Sequence, residues 1–103
     1  MAAHVLALYN APTDPTHFEQ YYHGTHIPIA KKLPGLRSYS ISKGAIGTPT
    51  GAAPYYLVAD LVFDSMEAIQ AALTSPEGAA TVADVPNFAT TGVTLLMYET
   101  ATV

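Results

Sequence analysis

The residues of this chain that are best suited to chemistry crowd into one run, Tyr21-Tyr22-His23-Gly24-Thr25-His26-Ile27-Pro28. An imidazole near neutral pH serves as a general base, a general acid or a donor to a carbonyl. His26 follows Tyr22 by four residues, so on a helix the two share a face. Pro28 lacks the N–H for a helical hydrogen bond and crowds the carbonyl of Gly24, itself a weak helix former. The helix is expected to loosen here and open space beside His26. Burial would keep the imidazole neutral, the form a base requires. The same position also suits a histidine that bonds loop backbone and pins the distortion.

Other candidates are spread along the chain. Asp60 is the one charged residue inside an apolar strand pattern. It either supports a histidine or acts as a base in the pocket, or makes an ion pair or hydrogen bond at the dimer interface, with Arg37 or a tyrosine as partner. Tyr9 and Tyr39 bring hydroxyls to apolar surfaces and are candidate pocket residues, as is Phe18 on the helical stripe. Asn87 and Phe88, just before the last strand, are candidates to close one end of the pocket, though a plain turn explains Asn87 equally well. His17, His23 and His26 do not supply three or four converging ligands with a carboxylate, so no metal is expected. Glycines with phosphate-loop or dinucleotide spacing are absent, and no cofactor is expected.

The 103 residues make one domain, 1–103, with 50% hydrophobic and only 12% charged residues. That charged share is about half the usual one. Four Lys and Arg against eight Asp and Glu do not make a phosphate-tracking surface, so nucleic acid is not an expected partner. The lack of cysteine excludes disulfides and thiolate catalysis. No apolar run approaches the ~20 residues that span a bilayer, and the first residues do not read as a signal peptide. The expectation is a cytoplasmic protein with no membrane association.

The elements that must position these groups are legible from periodicity. Val5 to Tyr9 reads as a strand. Thr13-Asp14-Pro15 then opens a helix predicted over 15–32, with Phe18, Tyr22, Ile29 and Leu33 on one stripe. Pro34-Gly35 ends it. Leu36 to Lys43 alternates as a second strand, and Gly44 to Pro54 reads as a loop. Tyr55 to Phe63 is the strongest strand signal. Asp64-Ser65-Met66-Glu67 caps a second helix, Ser75-Pro76-Glu77 caps a shorter one, and Val93 to Glu99 is the last strand. The order β-α-β-β-α-β suits an α+β, ferredoxin-like fold: a four-stranded antiparallel sheet with helices on one face.

Both faces of these strands are apolar. Leu57, Ala59, Leu61 and Phe63 alternate with Tyr56, Val58 and Val62, and the first and last strands behave alike. Helices cover one face only. A second copy of the same sheet is the simplest cover for the other, so a homodimer is expected.

The segment His26-Ile27-Pro28-Ile29-Ala30-Lys31-Lys32-Leu33-Pro34-Gly35-Leu36 resembles the signature of the EthD family. The resemblance continues through Tyr56 to Ala68, Ser75-Pro76-Glu77-Gly78 and Asp84-Val85-Pro86-Asn87-Phe88, in the expected order. It implies the dimeric α+β barrel and a small hydrophobic organic ligand held between helices and sheet. It also implies that His26, the histidine of the His-x-Pro motif, is the site residue. Together these point to a homodimeric protein of small-molecule catabolism, acting as a cofactor-free isomerase, cyclase or lyase with His26, Tyr22 and Asp60 as the catalytic group. The alternative is a non-catalytic binding or accessory protein that sequesters a hydrophobic intermediate.

Overall fold

The first strand, β1 (Ala3–Asn10), runs into a helix start dictated by chemistry. The Asp14 carboxylate accepts a hydrogen bond from the His17 N–H at 3.1 Å, and Pro15 takes the first helical position, where a missing N–H costs nothing. The computed structural model describes residues 2–103. The helical segment is not one regular helix: α1 (Pro15–Tyr21) passes into a π turn (Tyr22–His26) and then α2 (Ile27–Ala30). The physical reason is the one expected from Pro28. Widening the turn lets the Ile27 N–H reach the carbonyl of Tyr22, five residues back, where the proline ring would disturb a regular ladder. The helix ends at Ala30 rather than at Lys32.

The remaining elements are β2 (Ser38–Ile41), a hairpin of β3 (Gly47–Thr48) and β4 (Gly51–Ala52), β5 (Tyr55–Phe63), α3 (Met66–Thr74), α4 (Pro76–Asp84), a 3-10 turn (Val85–Asn87) and β6 (Val93–Glu99). β2 is shorter than its alternation suggested because it is an edge strand with a single partner, β5. The segment read as a loop carries the small β3–β4 hairpin. Ser65 caps α3 and Ser75 caps α4 through their hydroxyls, as the sequence pattern implied.

The main sheet has the order β2-β5-β1-β6, antiparallel throughout, which is the ferredoxin-like arrangement. Its inner face packs Tyr9, Leu57, Leu61 and Phe63 against Phe18, Tyr22, Ile69 and Phe88 in one core. At the middle of that face Ala7 pairs with Ala59 on the two central strands. Two methyl groups where neighbouring positions hold large side chains leave space between sheet and helices. The opposite face carries Leu6, Leu8, Val58 and Val62, with Leu96 and Tyr98 still 47% and 41% exposed. Among the described residues no helix is long and apolar enough to cross a membrane.

Candidate functional site

His26 ends the π turn and is 3% exposed. Its ring lies against Phe88, with centroids 4.5 Å apart, and stacks on Tyr22 at 5.5 Å. Its Nδ1 is 2.9 Å from Oδ2 of Asp84, a buried carboxylate at the last residue of α4. The other oxygen, Oδ1, accepts from the Tyr21 hydroxyl at 2.6 Å and from Asn87 Nδ2 at 3.1 Å. A carboxylate at a helix C-terminus is opposed by the helix dipole. Three donors converging on it supply the compensation.

These contacts fix the protonation pattern. Burial works to raise the Asp84 carboxyl, but the hydrogen bonds from Tyr21, His26 and Asn87 outweigh it and hold the group below the usual carboxylate range. Asp84 is therefore ionised at neutral pH and only accepts, so His26 carries its proton on Nδ1. Burial also holds the imidazole below its usual pKa, although the bond to Asp84 pulls the other way. The result is a neutral imidazole whose Nε2 lone pair makes no hydrogen bond to any described residue.

His26 lines an apolar hollow of about 70 Å³ bounded by Ala7, Ala30, Ala59, Leu61 and Val85. Val82 and Leu95, which also line it, are 54% and 55% exposed and mark its mouth. The paired alanines of the central strands are the reason it exists. Tyr9, Tyr39 and Thr81 bring the other polar side chains; the Thr81 hydroxyl donates to the Glu77 carbonyl, and the Tyr39 hydroxyl is 2.6 Å from that of Tyr22. Burial raises the pKa of Tyr9, Tyr22 and Tyr39 alike, so each stays protonated.

The structure thus brings His26, Tyr9 and Tyr39 to the hollow, with Tyr22 behind them, bonded to Tyr39 and stacked on His26. Phe18, Asn87 and Phe88 stand one layer back from the hollow. Phe18 packs among Tyr9, Tyr22 and Phe88, Phe88 covers the His26 ring, and Asn87 holds Asp84. Asp60 does not join them, which corrects the expectation of it as a catalytic partner of His26 and leaves the alternative of a paired carboxylate on the outer sheet face. Ala59 and Leu61 face the helices, so strand alternation turns Asp60 to the opposite side of the sheet. There it sits 2.7 Å from Nδ1 of His4, whose ring stacks on Tyr98. Arg37, considered as its partner, instead grips Asp64 at 3.0 and 2.7 Å. His23 is exposed beside Glu19, and among the described residues no three His, Asp or Glu side chains group as metal ligands would.

Asp84 is the member of this cluster that the sequence reading does not single out. A signal does exist: Gly78, Thr81 and Asp84 recur at three-residue spacing and are the buried residues of α4. That spacing puts the carboxylate on the inner face of its helix.

The EthD domain family matches residues 10–92. An uncharacterized 11.0 kDa protein from the thcB-thcC intergenic region of Rhodococcus erythropolis is 37% identical over 101 residues, covering 96% of this chain and 95% of that protein. The crystal structure of an ethyl tert-butyl ether D (EthD) family protein from Bacillus halodurans is similar at a TM-score of 0.89 and 34% identity, covering 98% of this chain and 100% of that one. Two more distant structures share the fold. One is a dimeric ferredoxin-like protein from Thermobifida fusca (TM-score 0.69, 16% identity, 95% and 90% coverage). The other is SnoaB, a cofactor-independent oxygenase from Streptomyces nogalater (TM-score 0.66, 14% identity, 99% and 94% coverage).

Proposed function

This chain belongs to the EthD family, and we propose that it transforms a small apolar organic molecule by proton transfer at His26, working as a homodimer in small-molecule catabolism. One observation carries the reading: a buried imidazole with its Nδ1 proton committed to Asp84 and its bare Nε2 at an apolar hollow. In this reading His26 is the base, Asp84 is the positioning residue that fixes its tautomer, and Tyr39, hydrogen-bonded to Tyr22 behind it, lies beside the ligand. Isomerisation, cyclisation and elimination all fit a single acid/base group. A relative of the same fold described as a cofactor-independent oxygenase is consistent with cofactor-free chemistry in such a scaffold.

The homodimer rests on the uncovered apolar sheet face, with Leu96 and Tyr98 roughly half exposed, and on fold relatives described as dimeric. A second reading draws on the same hollow. Its lining is almost wholly apolar, which also suits sequestering a hydrophobic intermediate without changing it. Solvent-deuterium incorporation into a panel of lactones, phenols and polyketide-like carbonyl compounds separates the two. The enzyme reading expects incorporation that falls at least about 10²-fold in His26→Gln while ligand affinity stays. Binding with no incorporation by the unmodified protein across the panel favours sequestration.

A further inference from the structure

Tyr9 is a buried residue whose hydroxyl makes no hydrogen bond within the described residues. Tyr9 is 3% exposed, its ring wedged against Phe18, Tyr22 and Phe88. Its neighbours Tyr22 and Tyr39 satisfy each other across 2.6 Å. The Tyr9 hydroxyl makes no hydrogen bond to any described residue, yet it is not sealed in the core. The hydroxyl of a tyrosine whose ring is buried this deeply normally finds a partner. The open space beside Tyr9 is the hollow that His26 also lines. One unpaired donor and one unpaired acceptor, the Tyr9 O–H and His26 Nε2, therefore border the same apolar space. No lysine or arginine lines it.

We infer that this hollow takes a small uncharged compound with an enolisable carbonyl, its oxygen accepting from the Tyr9 hydroxyl and an adjacent C–H facing His26 Nε2. The inference rests on the proton-transfer reading and adds the substrate class. In the step it describes, the C–H bond breaks and its proton moves to Nε2. The electron pair forms the enolate C=C, and the carbonyl π pair moves to the oxygen held by Tyr9. Returning a proton from Nε2 to carbon restores the carbonyl, and exchange of that Nε2 proton with solvent lets deuterium enter. With a water-sized group needing about 10–15 Å³, the hollow holds roughly five to seven non-hydrogen atoms, and a larger substrate extends past Val82 and Leu95. A carboxylate finds no cation there to offset its desolvation.

Cyclopentanone suits this size and is the probe. Its affinity, its carbonyl stretching frequency when bound and its α-deuterium exchange are measured with the unmodified protein, Tyr9→Phe and His26→Gln. Methylenecyclopentane and cyclopropanecarboxylate, each the size of the ketone, serve as controls. The inference expects a carbonyl stretch lowered on binding and restored in Tyr9→Phe. It also expects Tyr9→Phe to weaken the ketone about tenfold and to leave methylenecyclopentane within about twofold, with the carboxylate weaker than the ketone. An unchanged ketone affinity and stretch in Tyr9→Phe overturns it. So does a carboxylate that binds as tightly as the ketone, or a ketone that does not bind. A Tyr9-dependent stretch with exchange that survives His26→Gln upholds the carbonyl contact and overturns the proton-transfer reading instead.

Discussion

Replacing Asp84 with asparagine keeps the size of the side chain and turns one acceptor into a donor. Oδ1 holds two partners, Tyr21 and Asn87, and Oδ2 holds one, His26. The amide oxygen is therefore expected to take the Oδ1 position and the amide nitrogen to face His26 Nδ1. Two donors cannot meet there, so the imidazole must move its proton to Nε2, where the base is needed. Hydrogen bonds to a charged acceptor are worth about 1.5–3 kcal/mol each and neutral ones about 0.5–1.5. Three weakened bonds cost about 3 kcal/mol on that basis. Relief of the unfavourable charge at the helix C-terminus returns up to about 1 kcal/mol. The net loss is about 2 kcal/mol, or about 10 °C in Tm for a chain of this length. Nitrogen-15 NMR of the imidazole reads the tautomer, a thermal melt reads the stability, and deuterium exchange should fall about 10²-fold or more. A proton that stays on Nδ1, with an unchanged melt and exchange rate, would refute the claim that Asp84 orients His26.

Acid should weaken the fold in two stages. His26 has a folded pKa below its usual 6.5, so the unfolded chain binds the extra proton first and stability falls as pH drops below about 6.5. Asp84 is held below its usual 3.8, so its contribution is present above that value and is lost as pH falls further. Melts from pH 8 to 3 should show the first stage vanish in His26→Gln and the second in Asp84→Asn. Gly78→Ala should cost about 2 to 3 kcal/mol, because a Cβ there would collide with the backbone carbonyls of Ala72 and Leu73. Gly24→Ala, where a Cβ meets nothing within 4 Å, should leave the melt unchanged or raise it by up to about 1 kcal/mol. Leu96→Lys, on the uncovered sheet face, should reduce the mass seen by light scattering to the 10.9 kDa of one chain, and a dimer that survives would point to a different interface.

Much of this was legible in the sequence. Tyr55 to Phe63 and Val93 to Glu99 were read with the bounds the structure gives, because long apolar runs between turn residues leave little choice. The distortion ahead of Pro28 was also readable, since a proline in a helix forces a local answer; that the answer is a π turn depends on how Tyr22 and His26 pack. Asp60 misled because a lone charge in a strand attracts attention, while its facing is settled only by the parity that puts Ala59 and Leu61 inside. Asp84 stands in a segment that carries the family resemblance, but no chemical role could be read for it because an aspartate near a helix end reads as ordinary surface. Its meaning arises from a contact 58 residues away in sequence, which no local pattern encodes. The hollow depends on Ala7 facing Ala59, a register that is visible only once the two central strands are paired.

Chemistry at this site requires that the neutral, buried imidazole of His26 take the proton. The most direct measurement is the rate of cyclopentanone α-deuterium exchange against pH. The rate should rise with pH through one inflection below 6.5, level off at neutrality and lose that inflection in His26→Gln. An exchange rate that ignores His26→Gln, or an inflection above 6.5, would contradict it.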